Sequence, residues 1–244
     1  MDTSPSFIGP FSNDWPWVSP LPGTRLIVAR FDSALYEAQT GTAPLVGIPL
    51  PPRLRGAIAK RRAEYVAGRL CAQRALWLLD GRSACPSMNE DRSPRWPMDC
   101  VGSLTHSDGW AAALVAHRQA YQGLGLDAER LLGSEEARRL ARRVLTPREA
   151  ARLEQCEPSH VALMVGATFS LKESLFKALY PLVGRMFHFQ AAELVAWHGL
   201  GAVRLRLLED LGSGWAAGRE MSGMVCLSGG RLLSVVALPA TETA

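Results

Sequence analysis

The pair Asp108-Gly109 is the tightest local constraint in the chain. It closes the segment His106-Ser107-Asp108-Gly109 between two apolar runs, Val101–Thr105 and Trp110–Ala116. Asp-Gly between such runs is a hairpin signal, so this stretch is expected to be antiparallel sheet. Upstream, Leu26–Phe31 alternates like a strand. From Arg53 to Leu79 the period lengthens, with Ala63, Val66, Ala67, Leu70, Ala75, Leu76 and Leu79 recurring at helical spacing. Gly81–Pro97, with Pro86, Pro94 and Pro97, reads as a loop, and residues 1–24, rich in Pro, Ser and Trp, as an irregular arm lying on the body. Downstream, Gly123–Glu129 alternates as a strand and Glu135–Val144 is helical. Thr146-Pro147-Arg148-Glu149 begins another helix with a Thr cap, Pro in first position and Glu in third. A long helix spans about Val161 to Tyr180, ended by Pro181, and Val203–Leu208 and Leu232–Leu238 are strands. The expected class is α+β, with a seam in Arg118–Gln122 dividing an N-terminal half, residues 1–120, from a C-terminal half, residues 121–244. No G-x-G-x-x-G fingerprint opens a helix, so a Rossmann or P-loop nucleotide site is not expected.

Composition removes several classes. The 244 residues are 48% hydrophobic and 20% charged, which fits a chain that buries a core. No apolar run approaches the roughly 20 residues of a spanning helix, and Met1-Asp2-Thr3-Ser4-Pro5 has no export-signal character. A soluble, cytoplasmic protein without a membrane span is expected. The net charge of +4 is too small and too dispersed for a dedicated nucleic-acid binder, and suits an anionic small ligand or an acidic protein partner. The five cysteines, at 71, 85, 100, 156 and 226, form no C-x-x-C pair and no zinc spacing, and read as free thiols. Of the 27 basic residues only Lys60, Lys172 and Lys177 are lysine. A Lys kept in an Arg-rich chain suggests a point charge that guanidinium does not replace.

Period two places Asp127 and Glu129 on one face of their strand and Leu124, Leu126 and Ala128 on the other. Two neighbouring carboxylates repel, so one is protonated, both meet water, or a cation lies between them. Oxygen ligands of this type suit Mg²⁺; a solvated strand end beside Arg130 suits them as well. On the long helix Glu173 and Lys177 fall about 40° apart, away from the core face of Leu171, Leu175, Ala178 and Leu179. They form either a surface ion pair or one wall of a site. His106 lies among Thr105, Ser107 and Asp108 at the hairpin entry, where it is structural or meets an anionic oxygen. Arg61, Arg62, Arg69, Arg74, Arg92 and Arg95 make a solvated face or a phosphate clamp.

Five blocks occur in order: Glu64-Tyr-Val-Ala-Gly68-Arg69, Arg92-Ser-Pro94-Arg-Trp96-Pro97, Gly102-Ser103-Leu-Thr105-His106, Gly125-Leu-Asp127-Ala-Glu129, and Phe169-Ser170-Leu-Lys172-Glu173-Ser174-Leu-Phe-Lys177. Together they resemble the 4′-phosphopantetheinyl transferase superfamily of the Sfp type, in the branch of the enterobactin-synthetase component D group. The matched blocks span about half the chain, roughly Arg61 to Pro181.

The resemblance implies two similar α/β halves related by a pseudo-twofold axis, with the active site in the cleft between them, in a monomer. It implies transfer of 4′-phosphopantetheine from coenzyme A to a serine of an apo acyl- or peptidyl-carrier protein, releasing adenosine 3′,5′-bisphosphate. Asp127, Glu129 and Glu173 would hold Mg²⁺. Lys177 would meet the phosphates and assist the leaving group, Glu173 would act as general base, and Lys172 would be a supporting charge. His106 and Ser107 would contact a coenzyme A phosphate, and Arg62, Arg69 and Arg92 the 3′-phosphate. Carrier proteins of the family are acidic, and Arg138, Arg139, Arg142 and Arg143 offer a basic face for one. The carrier could belong to siderophore or other peptide synthesis, fatty-acid synthesis or polyketide synthesis. The alternative is a non-catalytic protein that binds coenzyme A or an anionic partner through the same arginines.

Overall fold

The computed structural model describes residues 5–40, 47–212 and 214–240. The reading of the first residues as lacking an export signal falls largely on residues 1–4, outside the described ones. The chain divides into two compact units, Met1–Trp15 with Pro22–Ala120, and Pro16–Leu21 with Tyr121–Ala244. Pro16–Leu21 departs from the expected boundaries, being grouped with the second unit. There the Trp17 ring is buried and its indole N–H donates to Leu233 O at 3.3 Å.

In the first unit, β1 (Thr24–Arg30), β5 (Trp110–His117) and β4 (Cys100–Ser107) form an antiparallel sheet in that order. The β4–β5 turn has only two residues, Asp108 at φ 38° and Gly109 at φ 74°, both left-handed as a tight hairpin needs. His106 and Ser107, expected in the connection, are therefore strand residues, paired with Ala111 and Trp110. The apolar face of α3 (Ala59–Asp80) covers this sheet, burying Ala63, Val66, Ala67, Leu70 and Leu76 with Ile27, Ala113 and Val115. The single helix expected from Arg53 is divided. A short α2 (Pro52–Arg55) ends at Gly56, and α3 restarts at Ala59. The expected loop 81–97 contains a small hairpin, β2 (Ser87–Met88) with β3 (Pro94–Arg95). A helix α1 (Ser33–Thr40) was not expected.

The second unit holds a five-stranded antiparallel sheet: β6 (Tyr121–Arg130), β10 (Arg231–Pro239), β9 (Glu220–Ser228), β8 (Gly201–Leu207) and β7 (Ala192–Leu194). Across it lies α6 (Pro158–Val183), burying Leu171, Leu175, Ala178 and Leu179 against Val225, Leu232, Val236 and Leu238. α6 starts earlier than expected, with Pro158 in its first turn. It also runs through Pro181 to a left-handed Gly184, whose N–H reaches Tyr180 O. A proline this close to the end removes one ladder bond only, so the last turn survives it. Beside α6 are α4 (Ser134–Val144) and α5 (Pro147–Glu154), the latter opened by the expected capping box of Thr146 and Glu149.

Among the described residues no helix is long and apolar enough to cross a membrane. The fold is α+β, and each unit lays one long helix on an antiparallel sheet.

Candidate active site

The crossing of α6 over β6 is set by two glycines. Gly123 and Gly125 share a strand face with Asp127 and Glu129. A Cβ on Gly125 would fall inside the Ser174 carbonyl oxygen, and one on Gly123 would press on that of Ala178. With no side chain there, the helix backbone rests on the strand, and residues one turn apart on α6 come level with the carboxylates that follow the glycines. Leu124, Leu126 and Ala128 point the other way and are buried.

Here Lys177 donates to Asp127 Oδ1 at 2.7 Å and to Leu126 O at 3.0 Å. Asp127 is 4% exposed, and its other oxygen accepts from Ser170 Oγ at 2.9 Å. Glu129 and Glu173 are half-buried in the same field. Burial first, then the negative charges of Asp127 and Glu173, push the Glu129 carboxyl up to about 7, against the pull of Lys177 and Arg130. Glu173 is raised by burial and then by Asp127, again opposed by Lys177. Three carboxylates against one ammonium leave an excess of negative charge in a partly desolvated site. A hard divalent cation with oxygen ligands fits that donor set. An apolar pocket of about 300 Å³ opens beside the cluster, lined by Glu173, Lys172, Phe176, Phe187, His188 and Phe189 among others.

Lys172, five residues before Lys177, points into the protein. It is 3% exposed and donates to Glu149 Oε2 at 2.7 Å and Val144 O at 2.8 Å. Glu149 is fully buried and also accepts from the N–H groups of Thr146 and Leu194. The pair joins α5, α6 and β7.

The first unit carries the other expected residues, Arg62 and Arg69 on α3, His106 and Ser107 at the end of β4, and Arg92 apart from them on the β2–β3 turn. Arg62 and Arg69 are seven residues, two turns, apart on one face of α3. Glu64 is buried, with Oε2 3.7 Å from both His106 Nδ1 and Arg61 Nη1 and without a hydrogen bond. His106 is exposed and Ser107 half-buried. Arg69 turns inward: it is 5% exposed, stacks on Tyr65 at 4.6 Å and donates to Ser87 O at 3.3 Å. Burial lowers the affinity of its guanidinium for its proton. The buried Nε atoms of Arg62 and Arg69 have no hydrogen-bond partner, so each retains a donor an anion could use. Arg92 is exposed on the β2–β3 turn, in a left-handed conformation at φ 76°.

Sequence reasoning missed Ser234, Phe187 and Phe189 in this region, and it placed Glu149 only as a capping residue, not as the partner of Lys172. Ser234 is a lone hydroxyl in an apolar strand. The aromatics follow the end of α6, where no periodicity marks them. Another group, Asp80, Asp99, Cys100 and His117, brings its ligand atoms within 4.8 Å of one another. Its two carboxylates are bridged by Arg82 at 2.6–2.8 Å, which accounts for their proximity.

Residues 51–116 match the family described as 4′-phosphopantetheinyl transferase N-terminal domain, and residues 123–226 the 4′-phosphopantetheinyl transferase superfamily. The chain belongs to that superfamily and is a transferase. It is 35% identical over 159 residues to enterobactin synthase component D of Escherichia coli, covering 65% of this chain and 72% of that protein. To the 4′-phosphopantetheinyl transferase PptT of Mycobacterium tuberculosis it is 33% identical over 161 residues, 66% and 68% of the two chains. Among solved structures, a holo-(acyl-carrier-protein) synthase from Bacillus anthracis str. Ames in complex with CoA (3′,5′-ADP) matches at 17% identity and a TM-score of 0.35. That match covers 50% of this chain and 99% of the other.

Proposed function

We propose that this protein transfers 4′-phosphopantetheine from coenzyme A to a serine hydroxyl of an apo acyl- or peptidyl-carrier protein, releasing adenosine 3′,5′-bisphosphate and requiring Mg²⁺. The observation that carries the reading is the meeting of Asp127, Glu129, Glu173 and Lys177 where α6 crosses β6.

Asp127, Glu129 and Glu173 would hold the cation, and their excess negative charge is the reason it would bind. Once there, Mg²⁺ supplies positive charge that offsets the negative charge developing on the transferred phosphoryl group. Lys177, fixed by Asp127 and Leu126 O, presents an ammonium that can follow a phosphate oxygen and steady the leaving bisphosphate. Glu173 lies between the carboxylate cluster and the apolar pocket, and takes the proton of the carrier serine directly or through water. The apolar lining of the pocket beside it suits the gem-dimethyl and methylene groups of the pantetheine chain. In the first unit, His106, Ser107, Arg62, Arg69 and Arg92 receive the phosphates of the nucleotide end. For Arg69 this uses the guanidinium edge that Ser87 leaves open.

The partner is an acidic carrier domain, met by the exposed arginines 138, 139, 142 and 143 of α4. The similarity to an enterobactin synthase component favours carriers of siderophore synthesis, with fatty-acid carriers as further candidates. The enzyme is proposed to work in the cytoplasm as a monomer.

The test is intact mass spectrometry of an apo-carrier incubated with the protein, coenzyme A and Mg²⁺, with and without EDTA. A gain of one phosphopantetheine, abolished by the chelator, is expected. Coenzyme A binding without any gain on acyl- or peptidyl-carriers would instead favour a non-catalytic binding protein.

A further inference from the structure

Behind Asp127 stand three hydroxyls that the proposed reaction does not use. Ser170 Oγ is 2.9 Å from Asp127 Oδ2, Ser234 Oγ is 2.8 Å from Ser170 Oγ, and Ser174 Oγ is 2.8 Å from Ser234 Oγ. All three serines are fully buried. Ser170 and Ser174 are one turn apart on α6, and Ser234 lies directly opposite Asp127 in the β10–β6 register. The hydroxyls thus tie the helix to both strands at the point where the carboxylate projects.

Proton counting fixes the direction of the bonds nearest the carboxylate. A hydroxyl has one proton to donate, and an ionised carboxylate only accepts. Ser170 must therefore donate to Asp127. The Ser170–Ser234 contact then takes the proton of Ser234, which leaves Ser174 as the donor in the shorter of its two contacts, 2.8 Å to Ser234 Oγ against 3.1 Å to Ser234 O.

We propose that Ser174, Ser234 and Ser170 form a one-way hydroxyl relay that positions Asp127 as a cation ligand, with Ser234 its central link. The proposal rests on the reading of the carboxylate cluster as a divalent-cation site. Lys177 holds one Asp127 oxygen and Ser170 the other, so the carboxylate is held against turning. Bonds aligned in one direction polarise one another, which strengthens the final bond onto Oδ2. The serines are positioning residues: they act on the cation through Asp127 alone.

The test is Mn²⁺ uptake by the purified full-length protein without coenzyme A, followed by electron paramagnetic resonance of the free ion. Wild type, Asp127→Asn, Ser170→Ala, Ser234→Ala and the Ser170→Ala/Ser234→Ala double variant are compared. Asp127→Asn should lose the site. Each serine variant should weaken Mn²⁺ binding about tenfold or more, as loss of a partner behind a ligand generally does. The double variant should bind no more weakly than Ser170→Ala alone, since a relay already broken at its last bond has nothing more to lose. Serines with a purely structural role would lower the melting temperature and leave Mn²⁺ affinity unchanged. Wild-type affinity in Ser234→Ala, with Asp127→Asn inactive in binding, would overturn the relay; so would losses that multiply in the double variant. If Ser234→Ala does not fold, Ser170→Ala decides the matter by the same criterion. A wild-type protein that takes up no Mn²⁺ would overturn the cation reading itself, and the relay with it.

Discussion

Lys172 and Lys177 show how differently two lysines of one helix can be used. Lys172 meets a fully buried Glu149, so Lys172→Ala leaves a carboxylate in the core without its counter-charge. That change should lower unfolding free energy by about 3–5 kcal/mol, read by urea denaturation. Lys177 is partly exposed at the site. Lys177→Ala strips the ammonium from a buried Asp127 that keeps its bond from Ser170, so it should lower the urea midpoint, though less than Lys172→Ala does. It should also reduce kcat/KM for carrier modification by roughly 100-fold or more, as removal of a charge-stabilising donor does. Cys226 offers a pH-dependent check on burial. Desolvation pushes its thiol up to about 11. The thiolate is the reactive form, so at pH 8 iodoacetamide should modify Cys226 about 100-fold more slowly than an ordinary thiol. The rate should rise about tenfold per pH unit up to that value. A rate that levels off near pH 9 would show that the thiol is not desolvated.

At the scale of elements, everything turns on how closely α6 approaches β6. Gly125→Ala puts a methyl group into the Ser174 carbonyl and must push the helix away from the carboxylates. The expected cost is about 3 kcal/mol, with loss of transfer activity. Gly56→Ala, where a Cβ meets nothing within 4 Å, is the control and should leave both unchanged. The alternation of Gly123–Glu129 made this strand legible, and with it the shared face of Asp127 and Glu129. β9 was not legible, although it is central to the sheet. Its buried Met221, Gly223 and Val225 alternate with Ser222, Met224 and Cys226, so apolar residues occupy both faces and the period is hidden. Gly223 also looks like a turn residue, whereas its bareness makes room for Leu171 of α6.

For the molecule as a whole, the proposed docking of an acidic carrier is open to a test by charge. Arg138, Arg139, Arg142 and Arg143 are exposed along α4, with Arg139 alone held by Glu135, at 2.7 Å. Reversing Arg138 and Arg142 to Glu should raise KM for an acidic carrier about tenfold and leave KM for coenzyme A unchanged. The difference should shrink as salt rises from 0.05 to about 0.5 M, where exposed charges are screened. A salt-independent KM, or no change in either constant, would move the docking surface elsewhere.

Legible from the order of amino acids alone were the hairpin at Asp108-Gly109, the alternating carboxylate strand, the helix bearing Glu173 and Lys177, and the superfamily. Each is written in a period or an ordered block that a single element carries. Other features depended on tertiary structure: the burial of Lys172 against Glu149, 23 residues away, the inward turn of Arg69, and the alignment of Ser234 with Asp127 and Ser170. Periodicity reports which side of an element faces the core, but not which residue of another element waits there. That pairing is decided only when the sheet register closes and the two glycines of β6 let the helix come to rest on it.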